Sequence, residues 1–156
     1  MRVAVISTGD EIVPPGTALA PGQVHDANAT LLADAVREIG GVAEVLGIAP
    51  DAEAPLRALL EEARAGCHVT LLSGGTSKGG GDVSYRVLAS MAPPLVHGVA
   101  LKPGKPLCLS AWDRKPVAVL PGFPTSAIFT FHAFVAPVPV VAHPVDQAGE
   151  IDPQIM

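Results

Sequence analysis

Between an apolar run ending at Leu72-Ser73 and a helix-like segment, the chain reads Gly74-Gly75-Thr76-Ser77-Lys78-Gly79-Gly80-Gly81-Asp82. Five glycines in the eight positions 74–81 exceed what a turn needs. A glycine-dense loop lets backbone N–H groups approach an anion, and the N-terminus of the following helix adds partial positive charge. That chemistry is phosphate binding. The standard nucleotide loops do not fit, because Lys78 is followed by Gly79 rather than Ser or Thr. No third glycine stands at the dinucleotide offset after Gly79 and Gly81 either.

Four further polar segments have residue types suited to the same ligand. Asp10 and Glu11, in Ser7-Thr8-Gly9-Asp10-Glu11, would repel a phosphate unless a divalent cation lay between, so acids beside a phosphate loop predict Mg²⁺. Lys102 and Lys105, separated by Pro103 and Gly104, are held in a stiff turn suited to an oxyanion. Pro121-Gly122-Phe123-Pro124-Thr125-Ser126 offers N–H groups and two hydroxyls at a second anion-binding end. Asp26 and Asn28 lead into a helix. The five histidines are scattered without ligand spacing, although His25, beside Asp26, is placed to line a site.

Elements of one α/β domain would position these segments. Val3–Ser7 is a short β-branched apolar run, the signature of a strand buried on both faces. A long polar, proline-rich loop follows to Val24. Asp26 or Asn28 caps a helix over about Ala29–Ile39 that ends at Gly40-Gly41, and Val42–Ala49 returns as a strand. Asp51 is the expected cap of a helix carrying Leu56, Leu59, Leu60 and Ala63 on one face. Val69–Leu72 feeds the glycine loop, and Asp82 is placed to cap a helix to about Met91. Strands are expected at Leu95–Leu101, Leu107–Ala111 and Val117–Leu120, with an Asp113-Arg114 turn making the last two an antiparallel edge hairpin. The last helix starts at Pro124, a favoured first-turn proline, and runs to about Val135. Strand–helix alternation predicts a three-layer, mostly parallel sheet with helices on both faces. The expected ligand then lies beyond the carboxyl ends of the strands, where all five polar segments fall. Residues 1–137 form the expected domain, and 138–156 a tail or the start of a linker.

The whole-chain numbers bound the reading. A chain of 156 residues, 49% hydrophobic, buries roughly two thirds of its unfolded surface as a single domain. Ten Lys plus Arg against fifteen Asp plus Glu, a formal charge of −5, argue against a nucleic-acid surface. The apolar stretch from Ala127 to Ala142 is interrupted by His132, Pro137 and Pro139, which argues against a membrane span. Cys67 and Cys108 each sit in an apolar run, as small core hydrophobes, and a cytosolic address is expected.

Taken in order, the five segments resemble the molybdopterin-binding domain of MoeA-type molybdenumtransferases and the gephyrin E domain, over about residues 2–137. The resemblance implies the last stage of molybdenum cofactor synthesis, in which adenylylated molybdopterin is hydrolysed and molybdate is inserted into its dithiolene. It implies that Asp82 is the key acid positioning Mg²⁺ and the phosphoanhydride, with Asp10 and Glu11 near it in the cleft. Ser73, Gly74, Gly75, Thr76, Ser77 and Gly79 are implied to cradle pterin or phosphate, together with Asp26, Asn28, Pro121 and Gly122. Lys102, Lys105 and Ser126 are implied to supply positive charge and hydrogen bonds to phosphate or molybdate. Phe123 stands where many relatives carry a polar residue, so this loop is expected to read its ligand differently. The family's transferases carry further domains, and another subunit's domain completes the cleft. A homo-oligomer, dimer or trimer, is therefore expected, as is an excised domain that binds molybdopterin without turnover. Two alternatives stand beside the transferase: the small trimeric molybdopterin adenylyltransferases, which share the Gly-Gly-Thr start of the loop, and a non-catalytic binding or assembly module.

Overall fold

The computed structural model describes residues 1–74 and 83–137. In chain order the strands are β1 (Arg2–Thr8), β2 (Ile12–Val13), β3 (Val24–His25), β4 (Val42–Ala49), β5 (Val69–Ser73), β6 (Pro94–His97), β7 (Cys108–Trp112) and β8 (Lys115–Leu120). The helices are α1 (Asn28–Glu38), α2 (Glu53–Gly66), α3 (Val83–Met91) and α4 (Pro124–Thr130), the last continuing as one wide π turn over Phe131–Val135.

Six strands form one sheet in the order β4-β1-β5-β8-β7-β6. β4, β1, β5 and β8 are mutually parallel, whereas β7 runs antiparallel to both β8 and β6. The expected mostly parallel sheet and antiparallel hairpin are observed, but the hairpin is not at the edge, because β6 pairs outside β7. The hairpin turn is Asp113-Arg114, both at positive φ. Arg64 of α2 holds it from outside, pairing with Asp113 at 2.7 Å and lying over the Trp112 ring.

Strand alternation divides the core between the two faces of the sheet. Ala4, Ile6 and Leu72 pack with Leu56, Leu60, Val87 and Leu88 of α2 and α3. Val3, Val5 and Leu71 pack with Leu32 and Val36 of α1 and with Ala127 and Phe131 at the C-terminal end. Each fully buried aliphatic side chain here contributes about 1.5–3 kcal/mol. Because both faces are covered, β1 carries the apolar run Val3, Ala4, Val5 and Ile6, and β5 is buried at all five positions, Thr70 included. Cys67 and Cys108 are both buried in the first of these clusters. Burial, reinforced by the Glu44 carboxylate that accepts the Cys67 thiol hydrogen at 3.4 Å, pushes the Cys67 thiol up to about 11.

Three expectations are corrected. Asp51 does not cap α2, whose flanking residue Ala52 is extended and carries no side-chain cap; the Asp51 N–H instead donates to Asp10 Oδ1 at 2.9 Å. The strand expected over Leu95–Leu101 stops at His97, because the chain folds back on itself: Gly98 N–H donates to Leu107 O and Val99 N–H to Lys105 O. The loop after β1 is not wholly irregular, since Ile12-Val13 pairs in parallel with Val24-His25. No described helix is long and apolar enough to cross a membrane.

Candidate functional site

Ser7, Ser73 and Leu120 stand side by side in the register of β1, β5 and β8, so three parallel strands end at one level. Beyond them opens a cleft of about 780 Å³, lined by the ends of β1 and β5, the start of α1 and the Pro121–Pro124 turn. This is where an open α/β sheet is expected to hold its ligand. Gly74 makes the exit from β5. It has φ +106°, and a Cβ there would stand 2.6 Å from Thr8 O, closer than atoms can approach. Its N–H donates to Leu120 O at 3.1 Å, which draws the loops of β5 and β8 together.

The first turn of α1 forms the polar floor. Asp26 Oδ1 accepts the Ala29 N–H at 3.0 Å, a side-chain cap that fixes the helix start. Asn28 donates through Nδ2 to Ser73 Oγ at 2.6 Å and to Gly122 O at 2.7 Å. Turning the carboxamide over would set its oxygen against the Gly122 carbonyl, so these partners fix its orientation. Among the described residues, two buried side-chain atoms lack a hydrogen-bond partner: Asn28 Oδ1 and Ser7 Oγ. Both residues line this cleft, at 8% and 2% exposure. The donors of a polar ligand suit the first of these oxygens, and its acceptors suit the second.

The anticipated residues are only partly assembled. Glu11, Asp26, Asn28, Ser73, Gly74, Pro121 and Gly122 line the cleft, as does His25, whose ring Nε2 is held by Thr17 O at 2.8 Å. Asp10 and Glu11 are adjacent in sequence but part company. Asp10 lines a neighbouring cavity of about 800 Å³ between the first loop, α1 and β4. Lys102, Lys105 and Ser126 do not line the cleft, although Pro106, just past the lysines, does. Both lysines are exposed and make no ion pair among the described residues. Ser126 is engaged through its backbone at the start of α4, its N–H donating to Phe123 O at 3.0 Å. Gly75, Thr76, Ser77, Gly79 and Asp82 lie outside the described residues. The carboxylates that are described do not make a metal centre: no three His, Cys, Asp or Glu among the described residues converge on one point.

A family described as "Probable molybdopterin binding domain" matches residues 4–143, nearly the whole chain. The chain belongs to this family. Among curated relatives, the molybdopterin molybdenumtransferase of Nostoc sp. is 36% identical over 141 residues, covering 88% of this chain and 32% of the relative. That of Haemophilus influenzae is 33% identical, covering 88% and 34%. The molybdopterin biosynthesis MoeA protein of Pyrococcus horikoshii superposes with a TM-score of 0.80 at 43% identity, over 88% of this chain and 34% of that one. The chain thus spans about a third of the length of these relatives, which belong to molybdenum cofactor biosynthesis. The molybdopterin biosynthesis enzyme MoaB of Thermus thermophilus shares the fold, with a TM-score of 0.70 at 18% identity.

Within this molybdopterin-binding domain, several lining residues carried no individual site role on sequence grounds, among them the buried hydroxyl residues Ser7 and Thr8. Thr8 Oγ1 accepts the Ser84 hydroxyl hydrogen at 3.3 Å, tying the end of β1 to the first turn of α3. The available signal for Ser7 and Thr8 was two hydroxyl residues closing an otherwise apolar buried strand.

Proposed function

We propose that the cleft binds adenylylated molybdopterin and that, in the whole protein, it serves the Mg²⁺-dependent insertion of molybdate into the dithiolene. The observation that carries this reading is that Ser7 and Asn28, each with a buried side-chain oxygen that has no partner among the described residues, line one cleft at the carboxyl ends of the strands. A pterin offers ring N–H and amino donors to Asn28 Oδ1, and phosphate oxygens offer acceptors to Ser7. Family membership supports the same ligand class.

The residues divide by chemistry. Ser73, Gly74, Pro121 and Gly122 supply the close backbone approach, continued through Gly75, Thr76, Ser77 and Gly79. Asp26 and Asn28 fix the floor. Lys102, Lys105 and Ser126 supply charge and hydrogen bonds to phosphate or molybdate. Glu11 and Asp82 are the acids of the reaction, with Asp82 the residue of this chain that would hold Mg²⁺ against the phosphoanhydride. Bound there, Mg²⁺ would neutralise charge on the phosphates. Asp10 acts at one remove, holding the Asp51 backbone. A homo-oligomer that completes the cleft from a second subunit is part of the proposal.

A second reading is a binding or assembly module without turnover. One pair of assays separates the readings. The protein is incubated with adenylylated molybdopterin, molybdate and Mg²⁺, and separately with molybdopterin, ATP and Mg²⁺. Product in the first assay, abolished by Asp82→Asn, is the expected result. Product in the second assay alone would assign adenylyl transfer instead. Binding without product in either would assign the module.

A further inference from the structure

Phe123 is 79% exposed and is among the residues that line the cleft. Its backbone does something separate, because Phe123 precedes α4 and its carbonyl accepts the N–H groups of Ser126 and Ala127 at 3.0 and 2.9 Å. The side chain therefore contributes little to the fold. A single exposed aromatic is ordinary on a protein surface. This one has company, because the same cleft is lined by Ile12, Val24, Val83 and Pro106 as well as by Ser7, Ser73 and Asn28. A phosphate alone has no use for an apolar wall. A flat heterocycle needs both: apolar contact for its faces and hydrogen-bonding groups for its edge.

We infer that Phe123 is a specificity-determining residue whose ring stacks on the pterin while Asn28 Oδ1 accepts from the pterin's N–H edge. The inference rests on the molybdopterin reading of the cleft. It adds a specificity role: Phe123 selects the ring. The Asn28–Gly122 hydrogen bond couples the two ring-reading groups, since Gly122 is the residue before Phe123. The carboxamide and the aromatic ring are thus anchored to the same turn.

The test uses the full chain and two simple probes, 6-hydroxymethylpterin and inorganic pyrophosphate, with binding followed by calorimetry. Phe123→Ala is expected to weaken pterin binding about tenfold, the loss of one ring stack, and to leave pyrophosphate binding unchanged. Phe123→Trp, which keeps a stacking face, is expected to retain pterin binding within about threefold. Undiminished pterin binding by Phe123→Ala would overturn the inference. So would an equal loss for both probes in both variants, which would mark a disturbed turn rather than a lost stack. If the unaltered protein binds pyrophosphate but no pterin, the ring-selecting role falls while the phosphate site stands. If it binds neither, the reading of the cleft falls with it.

Discussion

Asn28 Nδ2 lies 2.6 Å from Ser73 Oγ, so the first residue of α1 is bonded to the last residue of β5 across 45 positions of sequence. The same nitrogen reaches Gly122 O at 2.7 Å, and one carboxamide thereby joins three segments that bound the cleft. The arrangement commits both donors of the side chain to structure and leaves its acceptor without a partner among the described residues. A residue used only as a helix cap would have no reason to be built this way, particularly since Asp26 already performs the capping.

Asn28→Ala is expected to cost about 1–3 kcal/mol, because Ser73 Oγ loses a partner and the Gly122 carbonyl loses a donor in a mostly buried setting. Urea unfolding of the variant measures it. Since the cavity left by the side chain opens toward the cleft and can admit water, the lower half of that range is expected. An unchanged midpoint would show that the three-way tie adds nothing to stability. In the same variant, pterin binding is expected to fall by more than pyrophosphate binding, as Oδ1 disappears.

Gly74 and Gly122 face each other at the two loop exits and are expected to behave differently on substitution. Gly74→Ala places a methyl group 2.6 Å from Thr8 O at φ +106°, so either β1 or the loop must move. A loss of about 1–3 kcal/mol, together with weakened phosphate binding, is expected. Gly122→Ala meets nothing nearer than the Gly74 Cα at 3.6 Å, an ordinary contact. Its stability is expected to lie within about 0.5 kcal/mol of the unaltered protein. Thermal unfolding of the two variants side by side checks the contrast.

Much of this frame was legible because it depends on local pattern. The β-branched run of β1, the apolar strand before the glycine loop, Pro124 at the start of α4 and the Asp113-Arg114 turn each carry their own signal, and each element lies where that signal put it. What escaped depends on contacts distant in sequence. Asp51 has the composition of a cap, but its N–H is taken by Asp10, 41 residues away. Leu95–Leu101 has the composition of a strand, but Gly98 and Val99 bond back to Leu107 and Lys105 and end it early. Asp10 and Glu11 look like one acidic pair, and no sequence pattern shows that the loop sends them into different cavities. For the same reason Phe123 could be recognised as a departure from its relatives without its place in the cleft wall being visible.

The cluster of Arg2, Glu44 and buried Cys67 predicts how stability varies at alkaline pH. Burial and the neighbouring Glu44 carboxylate raise the Cys67 thiol from 9.0 to about 11 in the folded chain. Between those values the unfolded chain has lost the proton that the native chain keeps, so stability falls as pH rises. The contribution is fully present below about pH 9 and is lost progressively toward pH 11. A shift of this size corresponds to about 2–3 kcal/mol across the window. Cys67→Ala is expected to flatten that part of the stability profile, with denaturant midpoints measured at half-unit steps from about pH 8 to 11. A slope unchanged in the variant would assign the alkaline loss to other groups. The raised thiol should also react slowly with iodoacetamide at neutral pH, since the thiolate is the nucleophile.

Lys102 and Lys105 provide a test of the electrostatic part of the site that is separate from its packing. Both are exposed and outside any ion pair among the described residues, so replacing them removes positive charge without orphaning a partner. The double variant Lys102→Ala, Lys105→Ala is expected to keep its unfolding free energy within about 0.5 kcal/mol. If the lysines act on the phosphates of the ligand, pyrophosphate binding should weaken about three- to tenfold at low ionic strength, the scale of two solvent-exposed charge contacts. The difference should shrink as salt is raised toward about 1 M, where the screening length falls to about 3 Å and only direct contacts persist. A loss that survives high salt would mean that one ammonium touches the ligand directly, closing the distance now separating the lysine loop from the cleft. No loss at any salt concentration would remove both lysines from the site and leave the glycine loop and the Pro121–Ser126 turn as the phosphate-binding elements.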